Sequence, residues 1–289
     1  MKVLILGVDG MIGHKIAQTL DSDYELILCS RKSISLKSIG VKKGKILFHD
    51  LLIDNLNSML NSNAPDLIIN CAGITTRRGT EDNLQNTREL NSHLPHKLDS
   101  WAHTNSKKLI HFSTDCVFSG DTGNYLDNDF ADANDVYGMT KAAGEVNSDS
   151  ALTIRCSMIG RELYNFTELF EWLVENKNKK IDGYSRVFYS GITNVRMGKL
   201  ISKIIKENID LTGIYNISSV PISKFELLTK LSNAFGLNVD IIENKNIKSN
   251  KVLISKKFTE ITGVKPPNWD DLISEFKEDC EKNKSLYKN

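Results

Sequence analysis

The chain opens on a stretch that narrows its fold before any composition is counted. Met1 to Leu6 is apolar apart from Lys2, the pattern of a strand covered on both faces inside a parallel sheet. It runs into Gly7-Val8-Asp9-Gly10-Met11-Ile12-Gly13, and His14 onward has helical spacing. Strand, glycine-rich turn and helix together make a phosphate cradle. The glycines let backbone approach a ligand, and the helix N-terminus offers unpaired N–H groups at the positive end of its dipole. A plain glycine-rich connector is the alternative, but the first strand-to-helix turn is where a dinucleotide fingerprint belongs.

The segments that follow keep the same alternation. Tyr24 to Cys29 reads as a second strand ending in Ser30-Arg31-Lys32, where an acidic residue would bind a ribose 2′-hydroxyl and a guanidinium is offered instead. Arg31 suits a 2′-phosphate, which favours NADP over NAD, with an exposed basic turn as the plain alternative. Asp50 closes the strand Lys45 to Phe48 and supports adenosine binding of either cofactor. Leu67 to Ile69 leads to Cys71, Ala72 and Gly73, small residues at a strand end that leave room for a flat ligand. Thr75, Thr76, Arg77 and Arg78 then read as a solvated loop, with the arginines as an alternative contact for substrate phosphates. A helix from about residue 81 to 91, a break near Pro95 and a helix through Trp101 precede the strand Lys108 to Phe112. Alternation of this kind gives an α/β fold with a doubly wound parallel sheet, its glycine turn, small-residue strand end and Ser113-Thr114 at one edge.

The chemistry lies between His111 and Glu145. Thr114 ends a strand, and after a polar loop Tyr137 and Lys141 sit four apart at a helix start that Asn134 or Asp135 can cap. A phenol has a pKa near about 10, too high for acid–base work at neutral pH; an adjacent ammonium is expected to draw it down. Alone, a Tyr-x-x-x-Lys pair is a common half-buried ring beside a solvated amine.

Composition restricts the partners. The 37 basic and 36 acidic residues leave a formal charge of +1, which argues against nucleic acid or an acidic membrane as partner. Lys42 to Lys45 and Lys177 to Lys180 read as solvated faces. The five cysteines (Cys29, Cys71, Cys116, Cys156, Cys280) lack Cys-x-x-Cys spacing and suit a reducing compartment, so cytoplasmic placement is expected, and no metal site is legible. Residues 152 to 160 read as the last strand of a nucleotide-binding unit over residues 1–160. Residues 161–289 read as mainly a smaller mixed lid, some of whose segments return to the first unit. In it, Phe166 to Val174 and residues 194 to 208 read as helices, 211 to 219 and 238 to 243 as strands, and Ser223 to Glu226 as a capping box. After Trp269 a helix should reach about Lys282, with a charged end that frays.

Gly7-x-x-Gly10-x-x-Gly13, Asn70-Cys-Ala-Gly, Ser113-Thr-Asp-Cys-Val-Phe and Tyr137-Gly-Met-Thr-Lys141 with Gly144-Glu145 together resemble the extended short-chain dehydrogenase/reductases. Within these the chain is most similar to reductases of nucleotide-linked 4-keto-6-deoxy sugars, of the dTDP-4-dehydrorhamnose reductase type. The resemblance implies a Rossmann-type sheet with a smaller substrate-binding lid, and a catalytic triad of Thr114, Tyr137 and Lys141. It implies Gly10, Met11 and Ile12 at the pyrophosphate, Asp50 and Leu51 at the adenine, Cys71 to Gly73 facing the middle of the cofactor, and Lys141 on the nicotinamide ribose. Asp115 and Met158, with Thr114, fall where such reductases touch the sugar nucleotide. The implied activity is NADPH-dependent reduction of an activated 4-keto-6-deoxyhexose in deoxysugar or surface-polysaccharide synthesis, with NAD as the alternative cofactor and homodimerisation left open. Related dehydratases carry Thr-Asp-Glu after the strand; Cys116 in the third position disfavours dehydration. A UDP- or GDP-linked sugar epimerase/reductase and a non-catalytic NAD(P)-binding regulatory subunit remain as other readings.

Overall fold

A computed structural model describes residues 1–76 and 83–287. Six strands of the first half, β1 (Lys2–Leu6), β2 (Glu25–Ser30), β3 (Lys45–Phe48), β4 (Leu67–Asn70), β5 (Lys108–Ser113) and β6 (Ala151–Arg155), form most of one sheet. Between them lie α1 (Gly13–Leu20), α2 (Leu56–Asn63), α3 (Leu84–Arg88), α4 (Leu94–Thr104) and α5 (Val136–Ala143). A π-helical turn, Glu89–His93, joins α3 to α4.

The second half interleaves short strands and longer helices. It contains β7 (Met158–Ile159), α6 (Leu169–Glu175), β8 (Lys180–Tyr184), β9 (Val187–Tyr189), β10 (Ile192–Thr193), α7 (Asn194–Glu207) and β11 (Gly213–Asn216). β12 (Ile222–Ser223), α8 (Lys224–Phe235), β13 (Asp240–Asn244), β14 (Ser249–Asn250), α9 (Lys256–Thr262) and α10 (Trp269–Lys282) follow.

The main sheet has the order β11-β6-β5-β4-β1-β2-β3, with every pairing parallel. The chain starts in the middle, winds outward through β2 and β3, then returns across β4 to the other side. β1 and β4 therefore flank the point where the winding reverses, and the crevice beyond their carboxyl ends is where such sheets bind ligands. Period-two alternation explains why both faces are covered: Val3 and Ile5 pack into one core with Ile16 of α1 and Ile201 of α7, and Leu4 and Leu6 into another with Leu60 of α2 and Leu98 of α4. β11 comes from the second half and adds a seventh strand beside β6.

The remaining strands make three small sheets, β10-β7, β12-β9-β14 and β13-β8. The capping box at Ser223 and Glu226 forms as read, because hydroxyl and carboxylate each satisfy a backbone donor at the start of α8. Other boundaries differ. α6 begins at Leu169 rather than Phe166, whose φ of 56° stands outside a right-handed helix. As far as Tyr287 the end after Lys282 does not fray: a 3₁₀ turn, Lys284–Leu286, tucks Tyr287 under α1, where its hydroxyl meets His14 Nε2 at 3.2 Å. Burial of that aromatic ring outweighs the charge of its neighbours. Among the described residues no helix is long and apolar enough to cross a membrane.

Candidate active site

The turn after β1 is built on close backbone packing. Gly7 has φ +70°, and a Cβ there would stand 3.0 Å from Ala72 N; a Cβ on Gly13 would stand 2.3 Å from the Gly7 carbonyl oxygen. The turn is anchored from outside as well. Ser30 donates to Asp9 at 3.0 Å, and His14 joins the Gly10 carbonyl at 2.8 Å. Burial lowers the His14 pKa to about 3, so the imidazole there is neutral.

Beyond the carboxyl ends of β1, β2 and β4 lies a cleft of about 530 Å³. Gly7, Gly10, Arg31, Asp50, Leu51, Cys71, Ala72 and Gly73 all stand on its wall. Asp50 accepts the Leu52 N–H at 2.9 Å and so shapes the turn after β3, and Arg31 is exposed at the end of β2. Gly13 lies beneath the turn rather than on the wall. A glycine cradle where side chains would collide, a guanidinium at the second strand and small residues at the fourth fit a phosphorylated dinucleotide.

A second cleft of about 270 Å³ shares Cys71, Ala72, Gly73 and Ile74 with the first. Met11, Ile12, Thr114, Tyr137, Lys141 and Met158 line it. Three elements bring the key groups there. Thr114 follows β5 and caps the turn at Asp115, its Oγ1 accepting the Cys116 N–H at 3.1 Å. Tyr137 and Lys141 project from α5, which Asp135 caps by accepting the Gly138 N–H. Asp115 stands apart: it is 5% exposed, absent from the wall, and its carboxylate takes the Thr114 hydroxyl at 3.1 Å. Arg77 and Arg78 lie outside the described residues.

The electrostatics reverse one expectation. The Tyr137 pKa is pushed above the ordinary phenol value, first by burial and then by the nearby Cys116, with a hydrogen bond to Thr114 opposing. Tyr137 is half-buried on the cleft wall, so the shift reflects dense protein around its hydroxyl. Lys141 Nζ donates to the Phe112 carbonyl at 2.6 Å, and burial lowers its pKa to about 8 despite Glu145 and Cys71. Burial dominates, and the phenol holds its proton at neutral pH.

Several contributors were not legible from spacing. Asn91, in the π turn, accepts the Ile74 N–H and donates to the Ile74 carbonyl, both at 2.9 Å, and its amide also reaches Thr140 of α5 at 3.3 Å. It ties the strand-end loop to α5, which carries Tyr137 and Lys141. Glu145 and Arg155 form an ion pair beneath the site, with side chains 6% and 5% exposed. Ser113 also donates to Glu145 at 2.7 Å. Glu168 reaches the second cleft from the start of α6, in a stretch whose spacing shows only a helix.

Comparison with known proteins agrees with this architecture. A dTDP-4-dehydrorhamnose reductase of Aggregatibacter actinomycetemcomitans is 25% identical over 231 residues, 76% of this chain and 74% of that one. Methionine adenosyltransferase 2 subunit beta of Danio rerio is 23% identical over 252 residues, covering 82% and 74%. Among solved structures, a dTDP-4-dehydrorhamnose reductase of Bacillus anthracis in complex with NADP superposes with a TM-score of 0.78 at 20% identity, over 96% of this chain and 99% of that one. That likeness is one of fold. The RmlD substrate binding domain profile matches residues 1–281, nearly the whole chain, and the chain therefore belongs to the RmlD substrate binding domain family.

Proposed function

We propose that the protein is an NADPH-dependent reductase of a nucleotide-activated 4-keto-6-deoxyhexose, acting in deoxysugar synthesis. One observation carries this reading: Thr114, Tyr137 and Lys141 share the wall of a cleft continuous with the dinucleotide crevice. Gly7, Gly10, Met11 and Ile12 would hold the pyrophosphate, Asp50 and Leu51 the adenosine, and Arg31 a 2′-phosphate. NADPH, when bound, supplies the hydride.

The chain's own groups do the rest. Tyr137, protonated because burial raises its pKa, gives its proton to the carbonyl oxygen as negative charge develops there. Thr114 hydrogen-bonds the same oxygen once its hydroxyl turns from Asp115, and the hydroxyl's link to the Cys116 N–H keeps it in place. Lys141, held by the Phe112 carbonyl, would hold the nicotinamide ribose and supply a positive charge to the cleft while its proton is retained, below about pH 8. Met158 borders the sugar. Cys116, whose thiol burial raises to about 12, stays neutral and cannot do the acid–base work of a dehydratase glutamate.

NADPH oxidation with dTDP-4-keto-6-deoxyglucose or its C5 epimer tests the reading. Turnover should fall about 100- to 10,000-fold in Tyr137→Phe, with NADPH affinity unchanged. A variant retaining more than about a tenth of the rate refutes the proton-donor role. The relationship to methionine adenosyltransferase 2 subunit beta supports a second reading, an NAD(P)-binding regulatory subunit. Tight NADPH binding without oxidation on any 4-keto sugar nucleotide would favour it.

A further inference from the structure

Glu168 is an acidic group in the reduction cleft that the mechanism leaves unused. It lines that cleft with Thr114 and Tyr137, and its Oε1 accepts the Thr75 hydroxyl at 3.1 Å. Its other oxygen has no protein donor among the described residues. The side chain caps nothing at the start of α6, although it occupies the N-cap position. Its backbone is fixed from behind: Glu162, fully buried, accepts the N–H groups of Thr167 and Glu168 at 2.6 and 2.8 Å. A buried carboxylate thus holds a segment that delivers a second carboxylate, half-spent, into the pocket.

Among the described residues, charge on the cleft wall is otherwise sparse. Of those residues Lys141 provides the cation, but it is 5% exposed and its ammonium is committed to the Phe112 carbonyl. A carboxylate so placed lowers its free energy by accepting hydroxyl protons and raises that of an incoming anion. We propose that Glu168 is a specificity-determining residue, its carboxylate accepting a hydroxyl of the substrate's glycosyl group and rejecting sugars that carry a carboxylate. The proposal rests on reading the cleft as a sugar-nucleotide site, and narrows the substrates to neutral, hydroxylated sugars.

Equilibrium titration of the NADP-loaded protein separates the two ideas. The probes are dTDP, dTDP-glucose and dTDP-glucuronate, with their UDP counterparts, against wild type, Glu168→Gln and Glu168→Ala. Wild type should prefer the glucose to the glucuronate form by about 10- to 100-fold, the range for a hydrogen bond to a charged group. Glu168→Gln should shrink that preference at least about tenfold, by gaining affinity for the glucuronate. Glu168→Ala should weaken the glucose form by a similar factor and leave the free diphosphate unchanged. Undiminished preference in Glu168→Gln, full affinity for the glucose form in Glu168→Ala, or equal loss for the bare diphosphate would each overturn the proposal. The expected pattern without reduction of any 4-keto sugar nucleotide would instead overturn the reductase reading and leave this one standing.

Discussion

Replacing Glu145 by Gln tests how α5 is held and how its lysine is charged. Glu145 follows α5 and accepts Arg155 Nε and Nη2 at 2.7 and 2.6 Å, with Ser113 as a third donor. Arg155 is otherwise tied to the Asp127 carbonyl at 3.0 Å and lies 5.0 Å over the Phe118 ring, so it cannot swing to solvent. Glutamine preserves shape but leaves a buried guanidinium with only the more distant Asp127 carboxylate as counter-charge, a loss approaching about 3–5 kcal/mol. Against a total of roughly 5–15 kcal/mol, that is a large fraction. Urea unfolding should show the midpoint falling with an unchanged slope. Because Glu145 raises the Lys141 pKa, the variant should also lose activity at lower pH than wild type, moving the basic limb below about 8. Removing both partners, as Glu145→Leu with Arg155→Met, should cost less than the sum of the single changes. A destabilisation under about 1 kcal/mol together with an unmoved pH profile would refute the argument.

Two further outcomes follow from the same geometry. Gly13→Ala forces a methyl against the Gly7 carbonyl 2.3 Å away, so NADPH affinity should drop at least about tenfold and stability by about 1–3 kcal/mol; wild-type binding by fluorescence titration would contradict this. Lys141 has a folded pKa near 8 against an ordinary 10.5, so between those values the unfolded chain binds more protons and stability gains with rising pH. Lys141→Met should abolish turnover and remove that gain, and parallel stability-versus-pH curves for variant and wild type across this window would refute the assignment.

Much of the fold was legible because local and long-range demands agree in the first half. β1 is apolar on both faces because both faces are covered, and its glycine turn can exist only where backbone crosses Ala72 closely. The second half spoke less clearly. β8 begins at Lys180, inside a run that reads as solvated, because its partner β13 satisfies the backbone while the lysine side chain remains exposed. The spacing gives no sign of α9, whose seven residues carry little periodicity. At the site, spacing put Thr114, Tyr137 and Lys141 on one wall but misjudged the phenol's ionisation, because the density of packing around a hydroxyl is not written in the identity of its neighbours. Asp115, next to Thr114 in sequence, accepts the Thr114 hydroxyl and is absent from the cleft wall, an orientation that adjacency alone does not reveal.

The placement of β11 carries a consequence for synthesis. Until residues 213–216 emerge from the ribosome, β6 has a bare hydrogen-bonding edge, and all five of its side chains are ones that the finished protein buries. Such an edge invites pairing with other chains. A truncation after residue 160 should therefore aggregate rather than persist as a lone nucleotide binder, and the nascent chain is most vulnerable during translation of the fifty-odd intervening codons.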